Sequence, residues 1–174
     1  MQIQEYLNQL TQDMVRDGYA PQKTTLGNFE CLHIPKVRSH YPNGDALINA
    51  AAGEASLPHI QDYVGSVERF LMDRYTFLES AFSARIGIAV VVSETGISDG
   101  ARFYAQSGVM KNIIRNVHMP LMLVDLKAED VTTPKHFGYF ARYPIRKSVR
   151  FARERFSLGG GQIESKIIFE MQEF

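Results

Sequence analysis

The chain has 174 residues, 45% apolar and 22% charged, with 19 Lys plus Arg balanced by 19 Asp plus Glu. That length suits one ordinary domain, which buries roughly 70% of the surface its unfolded form exposes. The balanced charge excludes a whole-molecule field that would select polyanions or membranes, so any electrostatic preference has to come from local clustering.

A single cysteine, Cys31, excludes an intrachain disulfide and fits a reducing compartment. The N-terminus lacks a basic stretch followed by an apolar core, and no apolar run approaches the ~20 residues that span a bilayer. The expected location is therefore cytoplasmic, with no membrane partner.

Ile3, Leu7, Leu10 and Met14 recur at helical spacing, and Gly18 lies where a left-handed residue would close that helix. Residues Thr24 to Val37 are rich in β-branched and aromatic types and predict one or two strands, interrupted near Gly27-Asn28. Tyr41 to Gly44 is a turn, and a short element of undecided type follows at Asp45 to Ala52. Ser56 is a good helix cap and Pro58 falls in the first turn. Leu57, Ile60, Val64, Val67, Leu71, Leu78 and Phe82 then mark a long amphipathic helix over residues 57–82. Its apolar stripe serves either the core or a homodimer seam.

Ile86 to Val92 and Met119 to Val124 are continuously apolar, which predicts strands covered on both faces, as in a parallel sheet. Ser98 caps a helix predicted from Asp99 to about Val117, so 86–124 reads as a parallel βαβ unit. Beyond Thr132-Thr133-Pro134, Phe137 to Tyr143 reads as a strand and Ile145 to Phe156 as a basic helix or ribbon. Gly159 to Gly161 is a turn, and Gln162 to Met171 reads as an edge strand. The expected fold is α/β: one three-layer domain over 1–174, with a central mixed sheet.

Ligands of open α/β sheets sit beyond the carboxyl ends of the parallel strands. Glu94, Asp99, Asp125 and Lys127 are expected to share that rim, where carboxylates would hold Mg²⁺. The plainer role of Asp99 is to complement a helix N-terminus, and that of Asp125 to end a strand. Gly96 to Gly100 lies at a helix start, where backbone N–H groups can meet a phosphate, but it is neither GxGxxG nor a P-loop.

Charge clusters once. Lys135, Arg142, Arg146, Lys147, Arg150, Arg153 and Arg155 stand against Glu154 alone, with Phe137, Tyr139, Phe140, Tyr143, Phe151 and Phe156 interleaved. Guanidinium groups neutralise phosphates and aromatics stack on bases, which points to nucleic acid. Equally, the aromatics suit a core and the cations a solvated face. The five histidines are dispersed without metal-ligand spacing, and Cys31 suits a buried, inert thiol.

Gln61 to Gly65, Gly87 to Ser93 and Ile97 to Ala105 resemble the later part of Mrr-type restriction endonuclease domains, of the PD-(D/E)xK fold. There a helix leads to an apolar strand ending in Ser or Thr, then to a helix opening with Ser-x-x-Ala and carrying a Tyr-Ala pair. Pro120 to Asp125 resembles the next strand of that family, and the opening helix with Asp17-Gly18-Tyr19 is similar to its start. About half the chain is covered. The resemblance implies that Asp45 stands for the family's first metal-binding acid and Glu54 for the second. Ala55-Ser56 follows Glu54, so the usual lysine is missing, and Asp125-Leu126-Lys127 supplies a suitable triplet on a different strand. The implied fold is nuclease-like with a degenerate or rearranged site.

Three functions are thus expected, in this order. The first is nucleic-acid binding through Lys135 to Arg155. The second is a metal-dependent phosphodiester hydrolase with Asp125, Lys127 and Glu94 as catalytic groups and Asp45, Glu54, Asp99 and Asp125 around Mg²⁺. The third is a non-enzymatic adaptor that dimerises through the 57–82 helix.

Overall fold

The computed structural model describes residues 1–37, 46–74, 85–107, 110–112, 117–135 and 142–157. Helix α1 (Ile3–Arg16) buries Tyr6, Leu10 and Met14 and ends as its sequence predicts. Gly18 takes φ +84°, and the amides of Gly18 and Tyr19 bond back to the carbonyls of Val15 and Met14. Those two bonds satisfy carbonyls that a helix end otherwise leaves bare.

Strands β1 (Gln22–Leu26) and β2 (Phe29–Val37) form an antiparallel hairpin. Gly27, at φ +60°, supplies its two-residue turn at the predicted interruption. Pro35 cannot donate to a ladder, and the register of β2 shifts between Ile34 and Val37. β3 (Ala46–Ala52) settles the undecided element as a strand, antiparallel to β2 and parallel to β4 (Arg85–Ser93).

Helix α2 (Leu57–Arg74) connects β3 to β4 and starts where Ser56 offers its carbonyl to the Ile60 amide. Ile60, Val64, Val67 and Leu71 are at most 1% exposed and face the sheet. Over these residues the stripe offered as a dimer seam is therefore occupied by the core of the same chain. The predicted continuation to Phe82 lies outside the described residues.

The βαβ unit is present, with two corrections. Helix α3 (Asp99–Gln106) stops well before Val117, and a hairpin of β5 (Met110–Asn112) and β6 (Val117–Met119) follows it. Ser107-Gly108 is poor in helix propensity, which favours a helix end there. The run from Met119 to Val124 is also two strands, β6 and β7 (Leu121–Asp125), separated at Pro120. Both run parallel to β4, β6 beside its first half and β7 beside its second. At the break the Pro120 carbonyl still accepts the Ala89 amide at 3.0 Å.

β8 (Asp130–Thr132) returns antiparallel along β7, giving a mixed sheet of eight strands among the described residues. Helix α4 (Arg142–Phe156) resolves the helix-or-ribbon alternative as a helix. The strands predicted at Phe137 to Tyr143 and Gln162 to Met171 lie outside the described residues, apart from Arg142 and Tyr143, which open α4.

Three layers result. α1 and α4 cover one face of the sheet, over Ile48, Ile88, Val90, Met122 and Val124. α2 and α3 cover the other, over Leu47, Ala89, Val91, Leu121 and Leu123. Consecutive residues of β4 and β7 thus enter opposite cores, which is why neither run alternates in polarity. Among the described residues no helix is long and apolar enough to cross a membrane.

Candidate functional site

The carboxyl ends of β3, β4 and β7 meet at one edge. The Gly53 amide donates to Val92 O at 3.1 Å, the Leu126 amide donates to Ser93 O at 2.9 Å, and Ala55 bridges Ile97. Ser93 and Asp125 are register partners. Ser98 caps α3 by accepting the Ala101 amide, and its hydroxyl donates to Ala55 O at 3.4 Å. Glu94, Asp99, Asp125 and Lys127 therefore lie along one rim.

Each acid on that rim is occupied in its own way. The Asp125 carboxylate, 3% exposed, accepts Arg102 Nη2 at 2.6 Å on Oδ2. Its Oδ1 accepts the amides of Lys127 and Ala128 at 3.1 and 3.0 Å. Arg102 extends the network through Nη1 to Asp130 Oδ2 at 2.6 Å and Thr132 Oγ1 at 3.0 Å. A guanidinium thus stands where a cation would approach Asp125. Its role is to lock α3 onto the β7–β8 turn.

Glu94 is exposed, and its Oε2 accepts the Ile3 amide at 3.1 Å. It caps the N-terminus of α1, where a carboxylate satisfies an orphan donor and complements the helix dipole. Asp99 is exposed in the first turn of α3, the plainer of its two expected roles. Lys127 is exposed, and its stem lies near enough to Gly96 that a Cβ there would meet its Cδ at 3.9 Å.

Glu54 is exposed just beyond the end of β3. Asp45 lies outside the described residues, so of the expected metal set only Glu54, Asp99 and Asp125 are described. Among the described residues no three His, Cys, Asp or Glu are placed to hold a metal ion.

The basic segment divides. The Lys135 amide bonds to Gln106 O at the end of α3, on the sheet face opposite α4. In α4, Ile145, Val149, Ala152 and Phe156 enter the core. Arg155 pairs with Asp17 of α1 and lies 5.4 Å over the Phe151 ring, which meets Tyr19 edge-on. It fastens two helices of one layer together. Tyr6 does the same, donating its hydroxyl to Phe156 O at 2.7 Å.

The remaining cations share a flank. Arg146, Arg150 and Arg153 follow the spacing i, i+4, i+7 along one stripe of α4, with Lys147 on its outer side. Lys147, Arg150 and Arg153 are exposed and Arg146 is half-buried. Arg150 pairs with Glu154 at 2.9 Å, both well solvated. Arg142 opens the helix. Of the interleaved aromatics, Phe156 is core and Phe151 packs at its border, so neither offers a bare stacking face.

Sequence reasoning missed two groups. One is Arg102, whose signal was an arginine in the first turn of a helix beside a strand that ends in Asp. The other is a polar cluster under α2. His33 Nδ1 lies 2.8 Å from Asn49 Oδ1, both side chains being buried. The Tyr63 hydroxyl donates to Asn49 O at 2.6 Å, and the Cys31 thiol points at it. Burial pushes the Cys31 thiol up to about 11 and the Tyr63 hydroxyl well above its ordinary range. Burial also lowers the His33 imidazole, and nearby Arg74 adds to that, against the Asn49 bond. The available signal was Asn49 itself, a lone polar residue in an apolar strand, which had to find partners. No family model, curated protein or solved structure matches the chain.

Proposed function

We propose that the chain binds nucleic acid on a nuclease-like domain, holding the phosphate backbone with α4 and without cleaving it. The observation that carries this reading is the flank of Arg146, Arg150 and Arg153 on one helix whose neighbouring stripe, Ile145, Val149, Ala152 and Phe156, is buried. In a chain of zero net charge, such a row is a local concentration of positive charge, with Glu154 paired to Arg150 at its edge. A helix rises 1.5 Å per residue, so the row reaches about 10 Å, enough for several phosphates of one strand. The resemblance of residues 61–65, 87–93 and 97–105 to nuclease domains supports the nuclease-like part of this reading. The absence of cleavage in this reading is supported by Asp125, whose oxygens are engaged by Arg102 and two amides.

The test is fluorescence anisotropy with a short DNA duplex and a matching RNA over a range of salt. Three phosphate contacts account for a slope of about −2.7 in log K against log salt on B-DNA. Changing Arg146, Arg150 and Arg153 together to Ala should remove that slope and most of the affinity. An unchanged slope in the triple variant would show that binding, if present, lies elsewhere.

A further inference from the structure

His33 of β2 is 4% exposed and sits between two partners of different kind. On one side is Asn49 of β3, its register partner, with Oδ1 2.8 Å from Nδ1. On the other is Arg74, the last residue of α2, with Nη1 3.4 Å from Nε2. Phe70, one turn earlier, meets the imidazole edge-on at 5.4 Å, and Arg74 lies 5.8 Å over the Phe70 ring. An amide oxygen only accepts and a guanidinium only donates, so the partners set the tautomer: Nδ1 carries the proton and Nε2 is the acceptor. The contact with Arg74 exists only while His33 is neutral.

We infer that His33 and Arg74 form a proton-operated latch, which holds the last turn of α2 against the sheet at neutral pH and releases it under mild acid. Protonation at Nε2 turns an acceptor facing a guanidinium into a second donor and a second positive charge. Nδ1 keeps its bond to Asn49, so the strand pair stays intact and the helix end gives way. Among the described residues the charged group facing the ring is Arg74 of α2, and the Cys31 thiol and Tyr63 hydroxyl join the same polar cluster through the Asn49 carbonyl. β1 presents Gln22 and β3 presents Asn49. Among the described residues no carboxylate pairs with the ring to offset the new charge.

Burial and Arg74 both hold the imidazole below its ordinary 6.5, so the unfolded chain binds the proton more readily than the folded one. Stability from this site is therefore full above 6.5 and is lost as pH falls towards the lower folded value.

The experiment is amide exchange of residues 70–74 in the full chain between pH 7.5 and 5, corrected for intrinsic rates, with the His33 ring followed by NMR. Protection of that turn should fall tenfold or more on acidification while the β3–β4 ladder stays protected. His33→Gln should abolish the response. Arg74→Gln, at an exposed position, should raise the apparent pKa of His33 and leave the helix end insensitive to pH. Should His33→Gln not fold, Arg74→Gln alone decides. The latch is overturned if protection of residues 70–74 is unchanged at pH 5, or if the His33 titration is the same with and without Arg74.

Discussion

Replacing Arg102 by Met tests whether Asp125 is a structural anchor or a free acid. Removing one partner of a buried ion pair costs about 3–5 kcal/mol, because the other charge is left uncompensated. Two features lower the figure here. The Arg102 side chain is 25% exposed, and Asp125 keeps its bonds to the amides of Lys127 and Ala128. The arm to Asp130 adds little, since that carboxylate is 53% exposed. The expected loss is about 2–3 kcal/mol, which in a domain of this size lowers Tm by roughly 5–10 °C. Guanidinium denaturation and calorimetry would measure it. Adding Asp125→Asn should recover part of the loss, giving a coupling of about 1–2 kcal/mol in the double-mutant cycle. A loss below 0.5 kcal/mol for Arg102→Met, or strict additivity, would refute the anchor and return Asp125 to the set of available acids.

Two further outcomes follow from the packing. A Cβ on Gly87 would stand 2.3 Å from Leu71 Cδ1 and 3.1 Å from its Cγ, inside a fully buried contact. Gly87→Ala should therefore cost about 1–3 kcal/mol, measured by urea denaturation. In a Leu71→Ala background the same change should cost far less, because the new methyl enters the space vacated. Cys31 is 4% exposed with its thiol raised to about 11, so a thiol reagent at pH 8 should label the native chain only as fast as it opens. Fast labelling in buffer, at the rate seen in denaturant, would contradict the burial.

What was legible in the sequence followed periodicity and end signals. The stripe of α1 and its Gly18 closure, the cap at Ser98, and the two-sided apolar runs of β4 and β7 needed no tertiary information. β3 was harder to type, because Ala-rich sequence favours helix locally. Only its place between β2 and β4 makes Ala46–Ala52 a strand. The end of α3 is hidden for the converse reason: apolar residues after Ser107 continue a plausible helical pattern, while Met110 to Asn112 pair instead with β6. At the strand ends, spacing shows the acids and leaves out the cation that meets one of them. Sequence spacing shows that Asp125 ends a strand, but not that Arg102 reaches it from another element. The basic run likewise read as one patch, until helix geometry and sheet face separated Lys135 and Arg155 from the stripe on α4.

The join between α1 and α4 has a consequence for the order of assembly. Tyr6 and Phe156, whose bond closes that layer, are 150 positions apart. At about 5–20 residues per second, roughly 8–30 s of translation separate them. The β1–β4 strands and α2 can pair with one another on the ribosome before α4 emerges. Meanwhile Ile48, Ile88 and Val90 await half of their cover, an oily face suited to a chaperone until the second helix arrives to roof it.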